Sequence, residues 1–135
     1  MTLEHFRPAI RWAVEAAQEK QAVDITVLKL SGKGAFAEYF VLCSARSQPQ
    51  MQAIADAIEE RLRRENVRPA HREGTFGAEW LLLDYGNFIV HIFSESARQY
   101  YDLERLWRDA ERFDIRGPED SPGRDAANES DAARL

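Results

Sequence analysis

The segment EWLLLDYGNFIVHIF, at residues 79–93, constrains the fold of this chain more than any other stretch. Two apolar runs flank DYGN, and a glycine between two such runs is typical of the tight turn of a β-hairpin. A hairpin becomes stable in water only when it packs against further strands or helices. The chain is therefore expected to be organised around a sheet that contains this hairpin.

The pairing of the two strands decides which side chains share a face, because alternate residues of a strand point to opposite sides. With Tyr85 and Gly86 at the tip of the loop, the expected pairs are Leu83 with Phe88, Leu81 with Val90, and Trp80 with His91. One face is then wholly apolar: Leu81, Leu83, Phe88, Val90 and Ile92. The other face is mixed: Trp80, Leu82, Asp84, Ile89, His91 and Phe93. A three-residue loop with a bulge is the alternative, and it would turn Trp80 to the core side.

The mixed face is too polar for a sealed core and too apolar for a face that only meets water. Exposed apolar patches of this kind usually mark a binding surface. The alternative is that another part of the chain covers the face. Arg98 and the pair Tyr100-Tyr101, which follow the hairpin, are expected to line its edge, because Arg, Tyr and Trp dominate the energetics of interfaces.

The rest of the chain predicts three helices and two further strands. A helix over about residues 3–20 has Phe6, Ile10, Val14 and Ala17 at helical spacing, and strands follow in DITVLKL (24–30) and EYFVLCSA (38–45). A second helix begins at Ser47, which has capping-box spacing to Gln50. Its apolar stripe is Met51, Ile54, Ala55, Ile58 and Leu62.

The last helix is expected to begin at Ser96, with Gln99 in a second capping box, and to run to about Phe113. Its predicted buried stripe is Leu103, Leu106, Trp107 and Ala110. The fold class is thus α+β, in the order α-β-β-α-β-β-α, with helices packed against one side of a four-stranded mixed sheet. Residues 1–115 form the predicted domain, and residues 116–135, rich in Pro, Gly, Asp and Ser, are expected to be a disordered acidic tail.

Charge and cysteine usage exclude several classes of function. Basic residues number 18 and acidic residues 23, a net charge of −5, so direct DNA binding is not expected, whereas a basic protein partner is suited to the chain. No apolar run is long enough to span a bilayer, and the N-terminal residues do not resemble a secretory signal, so a cytoplasmic protein is expected. Cys43, the single cysteine, lies in the apolar stretch YFVLC and is expected to be buried and inert.

Catalytic motifs are not evident. His5, His71 and His91 lack metal-ligand spacing, so neither a metal site nor a cofactor is expected. The alternative function is an enzyme similar to nucleotidyltransferases, in which Asp24, Glu38 and Asp84 converge on Mg²⁺ to bind a nucleotide. The chain has no D-x-D pair to support it, and we expect no catalytic residue.

Four stretches occur in a distinctive order: DITVLKL, EYFVLCSARS, EGTFGAEWLLLDYGNFIVHIF and ARQYYDLERLW. They contain Glu73-Gly74, Trp80, the Asp84-Tyr85-Gly86 turn, His91 with Phe93, and then Arg98, Tyr101, Leu103-Glu104 and Leu106-Trp107. With this ordered set, residues 3–113 resemble the ribosomal silencing factor family, also called the RsfS or Iojap-like family.

The resemblance implies a function that composition does not. Proteins of this family bind the large ribosomal subunit through its ribosomal protein fourteen, block joining of the small subunit, and lower translation when nutrients are short. The implied fold is nucleotidyltransferase-like without the catalytic carboxylate motif, and a homodimer is implied for the free protein. The expected partner-binding residues are Trp80, Leu82 and His91 as an apolar centre, with Asp84, Arg98 and Tyr101 adding polar contacts.

Overall fold

The computed structural model describes residues 6–30 and 37–116. The predicted tail, apart from Arg116, lies outside these residues. The elements are α1 (Pro8–Glu19), β1 (Val23–Lys29), β2 (Tyr39–Ala45), α2 (Gln48–Arg63), β3 (His71–Glu73), β4 (Trp80–Asp84), β5 (Phe88–Ser94), α3 (Glu95–Tyr101), α4 (Leu103–Leu106) and β6 (Glu111–Asp114).

The sheet in the described part has six strands in the order β3-β4-β5-β2-β1-β6. Strands β2 and β5 are parallel and every other neighbouring pair is antiparallel, so the sheet is mixed, as predicted. The prediction of four strands was wrong, because β3 and β6 form the two edges. These strands have three and four residues, HRE and ERFD, and they are too short and too charged to show the alternation of a half-buried strand.

The hairpin of β4 and β5 keeps the predicted faces but not the predicted pairs. Trp80 lies opposite Phe93, Leu82 opposite His91, and Asp84 opposite Ile89. The register is therefore shifted by two residues, and the loop tip is Gly86 and Asn87, with Gly86 at a φ of +90°. Because side chains alternate with a period of two, a shift of two residues leaves each side chain on its predicted face.

The first face of the sheet packs against α1 and α2. All five residues of the predicted α2 stripe are buried there, together with Ile10, Val14 and Ala17 of α1. Cys43 is fully buried in the same cluster, so its predicted burial is confirmed, and this burial raises the pKa of its thiol to about 12.

The opposite face carries a second apolar cluster, so the prediction that the helices lie on one side only was wrong. Its buried side chains are Leu28, Leu30, Ala37, Phe40, Leu42, Ile89, Phe93 and Ala97. Leu103, Trp107 and Ala110, from the segment that follows β5, pack against it. The mixed face is therefore partly covered, which was the alternative to a bare binding surface.

The segment after β5 is not the single helix that was predicted. Ser94, not Ser96, accepts the N-cap hydrogen bond, from the backbone N–H of Ala97 at 3.1 Å. Helix α3 ends at Tyr101 because Asp102 adopts a left-handed conformation, with φ +48°. After this change of direction the predicted stripe no longer faces the sheet as a whole, and Leu106 is 71% exposed. Phe113, the predicted end of the helix, lies instead in β6 and packs against Phe6.

Candidate functional site

An aromatic group on the mixed face forms the candidate site. Trp80 of β4 is partly buried. The centroid of its indole ring lies 4.6 Å from the ring centroid of Tyr101 in α3 and 5.0 Å from that of Phe93. Tyr101 and Tyr100 are 48% and 82% exposed. Leu82, two residues along β4, is also partly exposed. We call Trp80, Leu82, Tyr100 and Tyr101 the aromatic surface.

The register of the sheet explains why these side chains meet. Helix α3 begins directly after β5 and packs on β5 and β2, toward the middle of the sheet. Strand β4 lies on the outer side of β5, so the Trp80 and Leu82 side chains are only partly covered. The ring of Tyr101, at the end of α3, packs against the indole ring of Trp80.

His91 lies beneath the aromatic surface and contacts Trp80. Its side chain is 4% exposed, and its Nδ1 accepts a hydrogen bond of 3.1 Å from the Trp80 indole N–H. Phe40 packs edge-on against the imidazole, with a centroid separation of 4.5 Å. Burial lowers the pKa of His91 to about 3, since the cation would lose its hydration in this aromatic setting. The imidazole is therefore neutral, and it fixes the orientation of the indole.

Arg98 is a buried residue of α3, the helix that also carries Tyr101. It is 9% exposed and donates from Nη1 to Ser44 Oγ at 3.0 Å and from Nη2 to Thr26 Oγ1 at 3.3 Å. Its Nη2 also donates to Glu104 Oε2 at 2.8 Å. Burial raises the pKa of Glu104, but hydrogen bonds and charge from Arg98, with a smaller effect of Arg112, bring it below its usual range.

Asp84 belongs to the hairpin turn. Its Oδ1 accepts a hydrogen bond of 2.8 Å from the Gly86 N–H, a bond that stabilises the turn. This role of Asp84 does not require contact with a binding partner. Glu38 lies at the same end of the sheet and pairs with Arg7. Asp24 lies at the opposite end, because β1 runs antiparallel to β2 with Val23 opposite Ser44. The three carboxylates of the alternative magnesium site therefore do not converge.

The structure thus brings together Trp80, Leu82, His91 and Tyr101 of the six predicted residues, and it places Asp84 and Arg98 in supporting positions. Sequence reasoning missed the exposure of Leu106 and of Phe76, which is 70% exposed. The two glycines around Phe76, in GTFG, were the available signal, since they predict a loop that presents the ring between them.

No group of three or more His, Cys, Asp or Glu side chains in residues 6–30 and 37–116 is arranged to hold a metal ion. No helix in that part of the chain has the length and apolar character needed to cross a membrane.

The fold and the surface define a class: a small α+β protein in which a mixed sheet presents aromatic side chains from a hairpin strand and a short helix. The chain belongs to the ribosomal silencing factor family. The family model described as "Ribosomal silencing factor during starvation" matches residues 3–135.

Individual relatives agree with this assignment. The "Ribosomal silencing factor RsfS" of Bacillus subtilis is 37% identical over 106 residues, which cover 78% of this chain and 90% of that protein. "Protein Iojap-related, mitochondrial" of Arabidopsis thaliana is 30% identical over 91 residues, 64% of this chain and 50% of that protein. A crystal structure of a protein from Chromobacterium violaceum has a TM-score of 0.71 and 28% identity, covering 80% of this chain and 88% of that one.

Proposed function

We propose that this protein is a non-enzymatic, cytoplasmic translation repressor. It binds the large ribosomal subunit through ribosomal protein fourteen and sterically blocks joining of the small subunit under nutrient limitation. The observation that carries the proposal is the aromatic surface, where the rings of Trp80 and Tyr101 are in contact on a partly covered part of the mixed face. The family to which the chain belongs supports the ribosome as the target.

The six predicted residues have two kinds of role in this proposal. Trp80, Leu82 and Tyr101 contact the partner, since each retains exposed side-chain surface. His91 and Arg98 are too buried for a large direct contact, so they hold the contacting residues in place. Asp84 shapes the hairpin turn beside the surface.

Rigidity and charge both favour binding. The Trp80 indole is held by a hydrogen bond and by two neighbouring rings, so little side-chain entropy remains to be lost when a partner binds. The chain carries a net charge of −5, which attracts a basic ribosomal protein surface. Affinity is therefore expected to fall as salt is added, because salt screens the attraction between exposed charges.

The test is co-sedimentation of the protein with purified large subunits. Trp80→Ala should weaken binding by about 2 kcal/mol or more, the effect typical of a central aromatic anchor. Trp12→Ala is the matched control, because Trp12 is a partly buried tryptophan of α1 that packs on the opposite side of the sheet, against Arg61. Equal binding by folded Trp80→Ala and Trp12→Ala proteins would contradict the proposal.

Subunit joining distinguishes repression from two other uses of the surface. In sucrose gradients the wild-type protein should decrease the yield of joined ribosomes from purified subunits, and Trp80→Ala should not. If Trp80→Ala abolishes self-association while the wild-type protein leaves joining unaffected, the surface serves only a homodimer. Saturable, magnesium-dependent binding of a nucleoside triphosphate in calorimetry would instead favour the nucleotidyltransferase alternative.

A further inference from the structure

The segment of α3 and α4, which includes Tyr101, must be held in place by contacts with the rest of the protein. Helix α3 has seven residues and α4 has four, and helices of this length are unstable by themselves in water. They meet at Asp102, a non-glycine residue in the left-handed region with φ +48°. The angle between α3 and α4, and with it the position of Tyr101, must be set by tertiary contacts.

One guanidinium provides the polar contacts among them, beside the apolar packing of Ala97 and Leu103 on the sheet. Arg98 lies one turn before Asp102, whose N–H donates to the Arg98 carbonyl oxygen at 3.1 Å and closes the last turn of α3. The Arg98 side chain reaches β2 through Ser44 and β1 through Thr26. It also reaches across the helix junction to Glu104 of α4, where Nε lies 3.1 Å and Nη2 2.8 Å from Oε2.

The last strand joins the same network. Thr26 Oγ1 donates to Asp114 Oδ1 at 3.0 Å, and Arg112 Nε donates to the same oxygen at 3.0 Å. Arg112 Nη2 also lies 3.8 Å from Glu104 Oε2. The pair of Arg98 and Glu104 is largely shielded from water, with side chains 10% and 16% exposed, so its geometry is specific and removal of either partner leaves the other charge poorly solvated.

We propose that Arg98 is a positioning residue for docking: through Glu104 it sets the α3–α4 junction and so holds Tyr101 against Trp80. The inference rests on the proposed function, because it concerns the same surface. Arg98 does not touch the partner in this account. It acts through Tyr101, which lies three residues further along the same helix.

The test begins with Arg98→Lys, which keeps the charge but loses the planar fork that binds Glu104, Ser44 and Thr26 together. The nuclear Overhauser effect between the rings of Tyr101 and Trp80, measured by NMR on the free protein, should weaken or disappear. Affinity for large subunits should fall about tenfold, an effect within the range of interface truncations. Arg105→Lys is the matched control, because Arg105 is an exposed arginine of α4, and it should change neither quantity.

A double-mutant cycle with Tyr101→Ala separates positioning from direct contact. If Arg98 acts only through Tyr101, Arg98→Lys should have almost no further effect on affinity in the Tyr101→Ala background. An equal loss in both backgrounds would overturn the proposal, and so would a loss of affinity while the ring contact is retained. If Arg98→Lys does not fold, Glu104→Gln tests the same link from α4, and an unchanged ring contact and affinity in that variant would also refute it.

The two proposals fail in different ways. The contact between the Tyr101 and Trp80 rings is measured without ribosomes, so its loss in Arg98→Lys reports on the junction alone. Retained binding by Trp80→Ala would refute the proposed function even when that loss is observed. Retained contact in Arg98→Lys would refute the positioning role even when Trp80 proves essential for binding.

Discussion

Acidification should destabilise this protein through one buried side chain, His91. The pKa of His91 is lowered from 6.5 to about 3 by burial, and its ring neighbours are Trp80, Phe40 and Phe93, none of which carries a charge. In the unfolded chain the imidazole regains its ordinary pKa of about 6.5. The unfolded state therefore binds more protons than the folded state between these two values.

The sign and size of the effect follow from this difference. The pKa of His91 is lower in the folded protein than in the unfolded chain. The contribution of the neutral His91 to stability is therefore fully present above the unfolded pKa and is lost as the pH falls toward the folded pKa. Between about pH 7.5 and about pH 5.0 the unfolded histidine gains nearly one proton and the folded one gains almost none, so the free energy of unfolding should fall by about 2 kcal/mol. This interval lies above the range in which most carboxylates titrate.

Urea unfolding of the wild-type protein and of His91→Gln at these two pH values is the assay. The difference in pH dependence between them isolates His91, and the glutamine amide can still accept a hydrogen bond from the Trp80 indole. An NMR titration of the His91 ring in the wild-type protein gives an independent measurement. A His91 resonance that titrates near pH 6 would contradict this prediction, and so would an equal loss of stability on acidification in His91→Gln and the wild type.

Two further predictions concern the backbone next to the aromatic surface. Gly74→Ala should destabilise by about 2–4 kcal/mol in thermal unfolding, because φ is +102° and an added Cβ would lie 2.9 Å from the carbonyl oxygen of Trp80. Gly77→Ala, with a similar φ and open space around it, is the control and should show only the backbone strain of about 1–3 kcal/mol. Ser94→Ala should cost about 1 kcal/mol by removing the cap of α3, and a loss no larger than that of Ser96→Ala would contradict the assignment of the cap.

The elements with a strong repeating pattern were predictable from the sequence. The stripe of α2 and its cap at Ser47 are confirmed, with Ser47 Oγ accepting from the Gln50 N–H at 3.2 Å. The division of the hairpin into two faces is also confirmed, because that division survives a shift of two residues. In each case the information lies within a few neighbouring residues, where local geometry alone decides the outcome.

The edges of the sheet could not be predicted in the same way. Strand β6 exists because its backbone pairs with β1, from Thr26 opposite Asp114 to Lys29 opposite Glu111, and no local pattern in ERFD indicates this pairing. The break of the last helix at Asp102 has the same origin. A continuous helix would carry Phe113 away from Phe6, whereas the turn lets the chain return to the sheet and pack the two rings 5.2 Å apart.

The class of fold, the mixed character of one hairpin face and the resemblance to a family could all be inferred from the order of the residues. Which side chains of the mixed face are exposed depends on how the elements pack together. His91 and Trp80 share a face, yet α3 packs on the middle strands β5 and β2 and meets Trp80 of β4 through Tyr101 at its end, so His91 is buried and Trp80 is only partly buried. The exposure of a side chain depends on which other elements pack over it. The alternation of side chains along a strand gives the face on which a residue lies, but not what covers that face.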